Sequence, residues 1–213
     1  MVAALTLKRS EAMKGVTVLV ENGYDDIACT YHEQRDKFKS NELLAGFSSL
    51  LPPGGDVLDV GCGAGVPVAR FLVDAGFKVT GVDVSSSMLK LARVHVPGAN
   101  FVKMDMRQLK FDADFFDGIC AFYSLFHVPR EEHLQILIGF NRLLRQDGIL
   151  LFSSGRDAWE DIKDFHGARM FWSHPDREVT RQLVMDAGFA VLMSEVQEHG
   201  GEKQYWVMAK KGT

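Results

Sequence analysis

Three carboxylates, three closely spaced glycines and one histidine stand where side chains could do ligand chemistry. Asp59 lies in the apolar run Val57-Leu58-Asp59-Val60, and Gly61, Gly63 and Gly65 follow at alternate positions around Cys62 and Ala64. Glycine lets the backbone turn sharply and lets a ligand come close. Pro67 suits the first turn of a helix. Val68, Ala69, Phe71, Leu72 and Val73 then carry helical apolar spacing up to Gly76. Buried strand, glycine turn and helix form a nucleotide-binding unit, because the helix N-terminus offers unpaired amides to a ligand. The dinucleotide fingerprint G-x-G-x-x-G would need a glycine where Val66 stands. A carboxylate in such a loop suits a ligand bearing an ammonium group better than one bearing phosphates. Asp83 closes the next apolar run, roughly 20 residues beyond the loop, the distance at which these folds place a ribose-binding acid. Its two oxygens can accept from both ribose hydroxyls. Asp105 closes a third run. His127 follows a fourth, and an imidazole can take a proton near neutrality.

The spacing of apolar residues predicts the elements that hold these groups. Phe77–Asp83, Asn100–Met104, Phe115–Ala121 and Ile149–Ser154 read as strands after the first, with helices between them. Ser85, Ser86 and Ser87 suit the cap of the helix that carries Met88 and Leu89. Asn41–Leu51 reads as a helix ended by Pro52-Pro53-Gly54-Gly55, and 129–145 as another. Val16–Val20 reads as a short strand or an apolar arm, Asn22-Gly23 as a turn, and 24–35 as a helix with Tyr24, Ile27, Ala28 and Tyr31 on one face. Ser173 to Asp176 reads as a capping-box helix start, followed by Val179, Leu183, Val184 and Ala187 facing inward. Phe189–Val196 and Gln204–Ala209 read as an antiparallel hairpin joined around 199–202. The fold expected is α/β: a Rossmann-like, seven-stranded, mostly parallel sheet with an antiparallel C-terminal strand and helices on both faces.

The D-x-G-x-G-x-G pattern from Asp59 to Gly65 resembles motif I of the class I S-adenosylmethionine-dependent methyltransferases. Val82-Asp83-Val84-Ser85-Ser86-Ser87-Met88-Leu89 resembles that family's second-strand motif, and "FDGICAFYSLFHV" (115–128 region, Phe116 to Val128) resembles its fourth-strand motif in the small-molecule variant. Tyr24 to Tyr31 resembles the N-terminal helix that covers the cofactor in that family, and "RLLRQDGILLFS" resembles its fifth-strand segment, with Gln146-Asp147 where Pro-Gly is common. The resemblance runs from Tyr24 to about Ala209. It implies S-adenosyl-L-methionine as cofactor, leaving S-adenosyl-L-homocysteine as product. Asp59, Gly61, Cys62, Gly63 and Gly65 would hold the methionine end, and Asp83, Val84 and Met88 the ribose and adenosine. Asp105 and Met106 would meet the adenine, with Phe122 and Tyr123 as further lining. Tyr31 and His127 become the catalytic candidates, and Tyr24, Tyr31, His127 and Trp172 the acceptor contacts. The aromatic-rich stretch 155–175 would be the substrate lid, the bland alternative being a helix on the sheet edge. His166 and His174 read as surface or capping residues.

The chain has 213 residues, 46% of them hydrophobic, which fits one domain over 1–213 with an arm and cofactor-covering helices over 1–51. A net charge of -4 with no Lys/Arg run gives no footprint for nucleic acid, and the fourth-strand exit Phe122-Tyr123-Ser124-Leu125 lacks the Asn/Asp-Pro-Pro-aromatic loop of many nucleic-acid methyltransferases. Cys29, Cys62 and Cys120 show no metal or disulfide spacing, as expected of a reducing cytoplasm. Residues 1–14 lack the apolar core of a secretory signal, no stretch spans a bilayer, and no metal site is expected. The expected acceptor is a small molecule; oligomeric state has no signature. Two other readings stand beside this one: a nicotinamide oxidoreductase, and a non-catalytic S-adenosylmethionine-binding module.

Overall fold

The computed structural model describes residues 2–35, 41–199 and 201–212. Two helices lead the chain, α1 (Val2–Arg35) and α2 (Asn41–Ser49). Then strands and helices alternate: β1 (Asp56–Val60), α3 (Val68–Asp74), β2 (Lys78–Asp83), α4 (Ser86–His95), β3 (Asn100–Lys103), β4 (Phe116–Ala121), α5 (His133–Leu143) and β5 (Leu144–Ser154). A hairpin, β6 (Trp159–Phe165) and β7 (Ala168–His174), precedes α6 (Arg177–Asp186) and the closing strands β8 (Phe189–His199) and β9 (Glu202–Lys211).

Seven strands form one sheet in the order β3-β2-β1-β4-β5-β9-β8, and β9 alone runs against the rest. This is the α/β arrangement expected from the sequence. Strand side chains alternate between two helical layers. Val57 packs with Leu44, Phe47 and Leu72 on one face; Leu58 and Val60 pack with Ile136, Phe140 and Val184 on the other. Both faces are covered, so the central strands are apolar throughout. The sheet order reverses between β1 and β4, and ligands of open α/β sheets bind at the carboxyl ends of the strands beside such a switch.

Several local expectations are corrected. Residues 16–23 are neither strand nor turn but part of α1, which runs unbroken into the helix expected from Tyr24. Gly23 is there for close approach: a Cβ at this position would lie 2.9 Å from the Met170 methyl and 3.0 Å from the Arg169 carbonyl. The 155–175 stretch holds a two-stranded antiparallel ribbon, not a helix, turning at His166 and Gly167 with φ of 55° and 89°. Two consecutive left-handed residues match the right-handed twist of the strands they join. The 129–145 helix is shorter: a 3₁₀ turn over Arg130–Glu132 leads into α5, and β5 begins at Leu144. Asp176, not Ser173, caps α6, its carboxylate accepting from the Val179 amide, while Ser173 lies in β7. Val179 faces solvent because it sits in that first, exposed turn, and Leu50 is exposed just past the end of α2. His174 is buried rather than superficial, its ring filling the space where a Gly155 side chain would stand. The C-terminal hairpin is as expected; Gly200 in its turn lies outside the described residues.

Candidate active site

The glycine turn is held from below by β2. The Gly61 and Cys62 amides both donate to the Val82 carbonyl, at 2.8 and 3.0 Å. Gly61 has φ of +70°, and a Cβ there would sit 2.3 Å from the Ser124 Cβ. Only glycine lets the exits of β1 and β4 meet this closely. Ser124 fastens the junction by donating to the Val60 carbonyl at 2.8 Å. Tyr123 next to it holds φ of 53°, a costly conformation for an aromatic residue, and its amide donates to Ser153 Oγ at 2.7 Å.

Asp83 sits at the tip of β2, where its carboxylate accepts from the Gly63 amide at 2.9 Å and the Ser85 amide at 2.8 Å. A carboxylate has about four lone-pair sites, so acceptor capacity remains on the cavity side. Burial raises its pKa, opposed by these backbone donors. Ser85 caps α4 by accepting from the Met88 amide at 3.0 Å. Asp25 of α1 adds a second cap to α4, taking the Ser85 hydroxyl at 2.6 Å and the Ser87 amide at 2.8 Å. Burial would raise the Asp25 pKa, but those hydrogen bonds outweigh it and hold the carboxyl below its ordinary value. Asp105 caps the 3₁₀ turn after β3 and is paired with the Arg107 guanidinium at 2.6 Å, with Thr17 of α1 beside them. Burial, with Asp83 and Asp59 nearby, pushes the Cys62 thiol well up, so it stays neutral and is not a nucleophile.

These groups surround one cavity, with about 990 Å³ of empty space including its mouth. It is walled by Asp59, Gly61, Cys62 and Gly63 from the first turn; Asp83, Val84 and Met88 from the second; Asp105 and Met106 from the third; and Phe122, Tyr123 and His127 from the fourth. Tyr24 and Tyr31 close it from α1. Gly65 does not line the cavity; it packs under the turn against Val96 and Phe101. Trp172 is not a wall residue either. Its ring packs against His127, centroid to centroid 4.6 Å. Thr17, Val20 and His32 of α1, and Met104, Ser124 and Val128, line the cavity without having been singled out. For the α1 residues a signal existed: Thr17, Val20, Tyr24, Ile27 and Tyr31 continue one helical stripe.

His127 is fixed at both nitrogens. Nδ1 lies 2.7 Å from the Phe171 carbonyl, which can only accept, so Nδ1 carries the proton. Nε2 therefore accepts from the Tyr24 hydroxyl, 2.8 Å away. Burial pushes the His127 pKa down to about 4 against the pull of that carbonyl, and burial does the same to His133, whose Nε2 donates to the Val128 carbonyl at 3.0 Å. Both rings are neutral in the folded protein. The unfolded chain takes up these protons as pH falls below 6.5, while the folded chain resists until about 4. Stability is therefore full above about pH 6.5 and declines toward pH 4, where unfolding binds up to two extra protons. Thermal melts between about pH 7 and about pH 5 should show the decline, and His133→Gln should flatten it.

Among the described residues no Lys or Arg lines this cavity, and its charged wall residues are Asp59, Asp83 and Asp105, the last of them paired with Arg107 behind the wall. Such a wall fits a cationic ammonium or sulfonium ligand and opposes a pyrophosphate. Among the described residues no cluster of metal-ligating side chains occurs, and no helix is long and apolar enough to cross a membrane.

Residues 57–148 match the methyltransferase domain family. The chain is 31% identical over 134 residues to YqeM of Bacillus subtilis, a provisionally assigned methyltransferase, covering 61% of this chain and 54% of that one. It is 36% identical over 111 residues to the ubiquinone biosynthesis O-methyltransferase of Actinobacillus pleuropneumoniae, covering 47% and 46%. It spans about half the length of the curated relatives it matches. In fold it is similar to the Burkholderia thailandensis 1,6-didemethyltoxoflavin-N1-methyltransferase, solved with its namesake ligand and S-adenosylhomocysteine, with a TM-score of 0.69, 24% identity, and coverage of 88% of this chain and 86% of that one. The family match over residues 57–148, the sheet order and the acids at the ends of the first three strands agree, and over that segment the chain is similar to the methyltransferase domain family.

Proposed function

We propose that this chain transfers the methyl group of S-adenosylmethionine to a small-molecule acceptor. The observation that carries the reading is the cavity at the switch between β1 and β4, walled by carboxylates at the ends of three successive strands and, among the described residues, by no Lys or Arg. The Gly61–Gly63 turn and Asp59 would hold the amino-acid end, Asp83 the ribose hydroxyls, and Asp105 with Met106 the adenine. When bound, the sulfonium supplies an already activated methyl group. The protein's own part is to hold an acceptor in line and exclude water, which accounts for much of such a rate enhancement. α1 and the β6–β7 hairpin supply that cover: Tyr31 meets Phe165 at 5.7 Å between ring centroids, joining the two over the cleft. His127, neutral and lining the cavity, is placed to receive a proton from the acceptor.

A small acceptor is supported by the cleft and by similar proteins named for ubiquinone biosynthesis and for 1,6-didemethyltoxoflavin. Incubation with isotopically methyl-labelled S-adenosylmethionine and a fractionated metabolite pool tests the reading. Label should pass to a low-mass product with stoichiometric S-adenosylhomocysteine. Tight binding of the donor without transfer to any fraction would favour the non-catalytic module instead.

A further inference from the structure

The first helix does more than roof the cleft. Thr17, Glu21 and Asp25 recur at every fourth position of α1 and so share one face. Each meets the chain at or just beyond a strand tip. Thr17 reaches Asp105 at 3.5 Å and the Arg107 guanidinium beyond β3. Glu21 takes Lys103 Nζ at 2.6 Å, and the same ammonium donates to Ser86 Oγ at 2.8 Å. Asp25 reaches the α4 cap: one oxygen, Oδ1, accepts both the Ser85 hydroxyl and the Ser87 amide. Ser85 is fully buried, and a buried polar group needs its partners. Its amide donates to Asp83 Oδ1 at 2.8 Å, its hydroxyl oxygen accepts from the Met88 amide at 3.0 Å, and its hydroxyl proton goes to Asp25. Asp83 Oδ2 in turn accepts from the Gly63 amide at 2.9 Å. One chain of hydrogen bonds therefore runs from α1 through the α4 cap to Asp83 and on to the glycine turn. Asp25 does not line the cavity, so it acts there through its neighbours. A helix needed only as cover has an apolar stripe for that task, with Val20, Ile27 and Ala28 buried along it.

We propose that Asp25 is a positioning residue for the methyl donor: it draws the Ser85 hydroxyl away from Asp83 and leaves the free lone pairs of Asp83 to the ribose. The inference rests on the assignment of Asp83 to the ribose in the preceding subsection. Without Asp25 a fully buried hydroxyl loses its acceptor, and a buried donor left unmet is costly. Asp83, already bonded to the amide of the same serine, is the carboxylate that can replace it. A hydroxyl turned onto Asp83 occupies a lone pair that a ribose hydroxyl would use. The coupling is reciprocal. Docking of α1 through Asp25 prepares Asp83, and a donor held on Asp83 tightens α1. Thr17 and the Glu21–Lys103 pair still fasten α1 when Asp25 is changed, so the substitution alters the ribose contact more than the cover.

S-adenosylhomocysteine and its 2′-deoxy analogue are the probes, titrated by calorimetry. Asp25→Ala should weaken S-adenosylhomocysteine binding roughly 5- to 50-fold, within the span usual for coupled sites. Asp25→Asn should recover the affinity to within about threefold of the parent, because an amide oxygen in the same place accepts from both donors. In an Asp83→Ala background, adding Asp25→Ala should cost less than about twofold more, since the residue it acts through is already gone. The parent's preference for the ribose over the deoxyribose form should shrink by at least about threefold in Asp25→Ala. A helix serving only as cover would leave that preference unchanged. Amide hydrogen exchange of the parent protein needs no variant: S-adenosylhomocysteine should slow exchange of the Ser87 amide and of residues 17–25 together. Additive losses in the double variant, an unchanged ribose preference, equal losses in Asp25→Asn and Asp25→Ala, or exchange at Ser87 and α1 that ignores the ligand would each overturn the role of Asp25 alone. Failure of the parent to bind S-adenosylhomocysteine, or an Asp83→Ala variant as tight as the parent, would overturn the donor reading on which it rests.

Discussion

Asp83→Ala should weaken S-adenosylhomocysteine binding by roughly 10- to 150-fold, with the protein still folded. Hydrogen bonds to a charged group contribute about 1.5–3 kcal/mol, and about 1.4 kcal/mol is tenfold in affinity. The effect has two sources. One is loss of the acceptor oxygens facing the cavity. The other is loss of the clamp on the turn itself, because the same carboxylate holds the Gly63 and Ser85 amides. Asp83→Asn separates them: one carbonyl oxygen can still accept from an amide, but it cannot take both hydroxyls of a ribose. Its affinity should fall between parent and alanine variant. Isothermal titration of the three proteins checks the order, and an alanine variant that binds as tightly as the parent would remove Asp83 from the site.

Gly61→Ala should destabilise the fold by about 2–5 kcal/mol and abolish measurable cofactor binding. A left-handed φ costs an alanine about 1–2 kcal/mol, and overpacking adds about 1–3 kcal/mol. Here the clash is with Ser124, 2.3 Å from the added Cβ. Ser124 cannot retreat without giving up its bond to the Val60 carbonyl, and its own carbonyl accepts from the His127 amide at 3.0 Å. The substitution therefore disturbs the methionine end and the proposed proton acceptor together. In a protein of this size the melting temperature should drop by roughly 5–15 °C. Adding Ser124→Gly to Gly61→Ala relieves the clash but not the strained φ, so it should recover part of the stability. Full stability in Gly61→Ala alone would show that the β1–β4 junction is not as tight as described.

How far the sequence could be read follows from which signals are local. Val57–Gly65, Asp83 and Ser85 were legible because strand, turn and cap chemistry each leave a mark within a few residues. The sheet and its closing hairpin were legible because their runs are apolar and separated by glycine turns. Gly23 misled because a glycine made necessary by a neighbouring strand looks like a glycine that makes a turn, and the Met170 and Arg169 atoms that require it are distant in sequence. The β6–β7 ribbon is hard to read as strands because every residue of β6 from Glu160 to Asp164 is exposed and all but Ile162 are charged, so no apolar alternation marks it. Within the site, the acids at the strand tips were visible as types at spacings. The link from Tyr24 to His127 to Phe171 was not, because it joins three elements separated by 103 and 44 positions. The same holds for the Asp25 cap on α4, 60 positions away from Ser85. The residue type of Trp172 suggests an acceptor contact, and only the fold shows that it packs against His127 while His127 lines the cavity.

The claim everything depends on is that three acid-tipped parallel strands grip an adenosyl amino acid and not a dinucleotide. Calorimetric titration of the wild-type protein with S-adenosylhomocysteine, and separately with NAD, tests it most directly. One equivalent of S-adenosylhomocysteine should bind with an affinity that depends on Asp83, and NAD should give no heat above dilution. Saturable NAD binding with no response to S-adenosylhomocysteine would contradict the account.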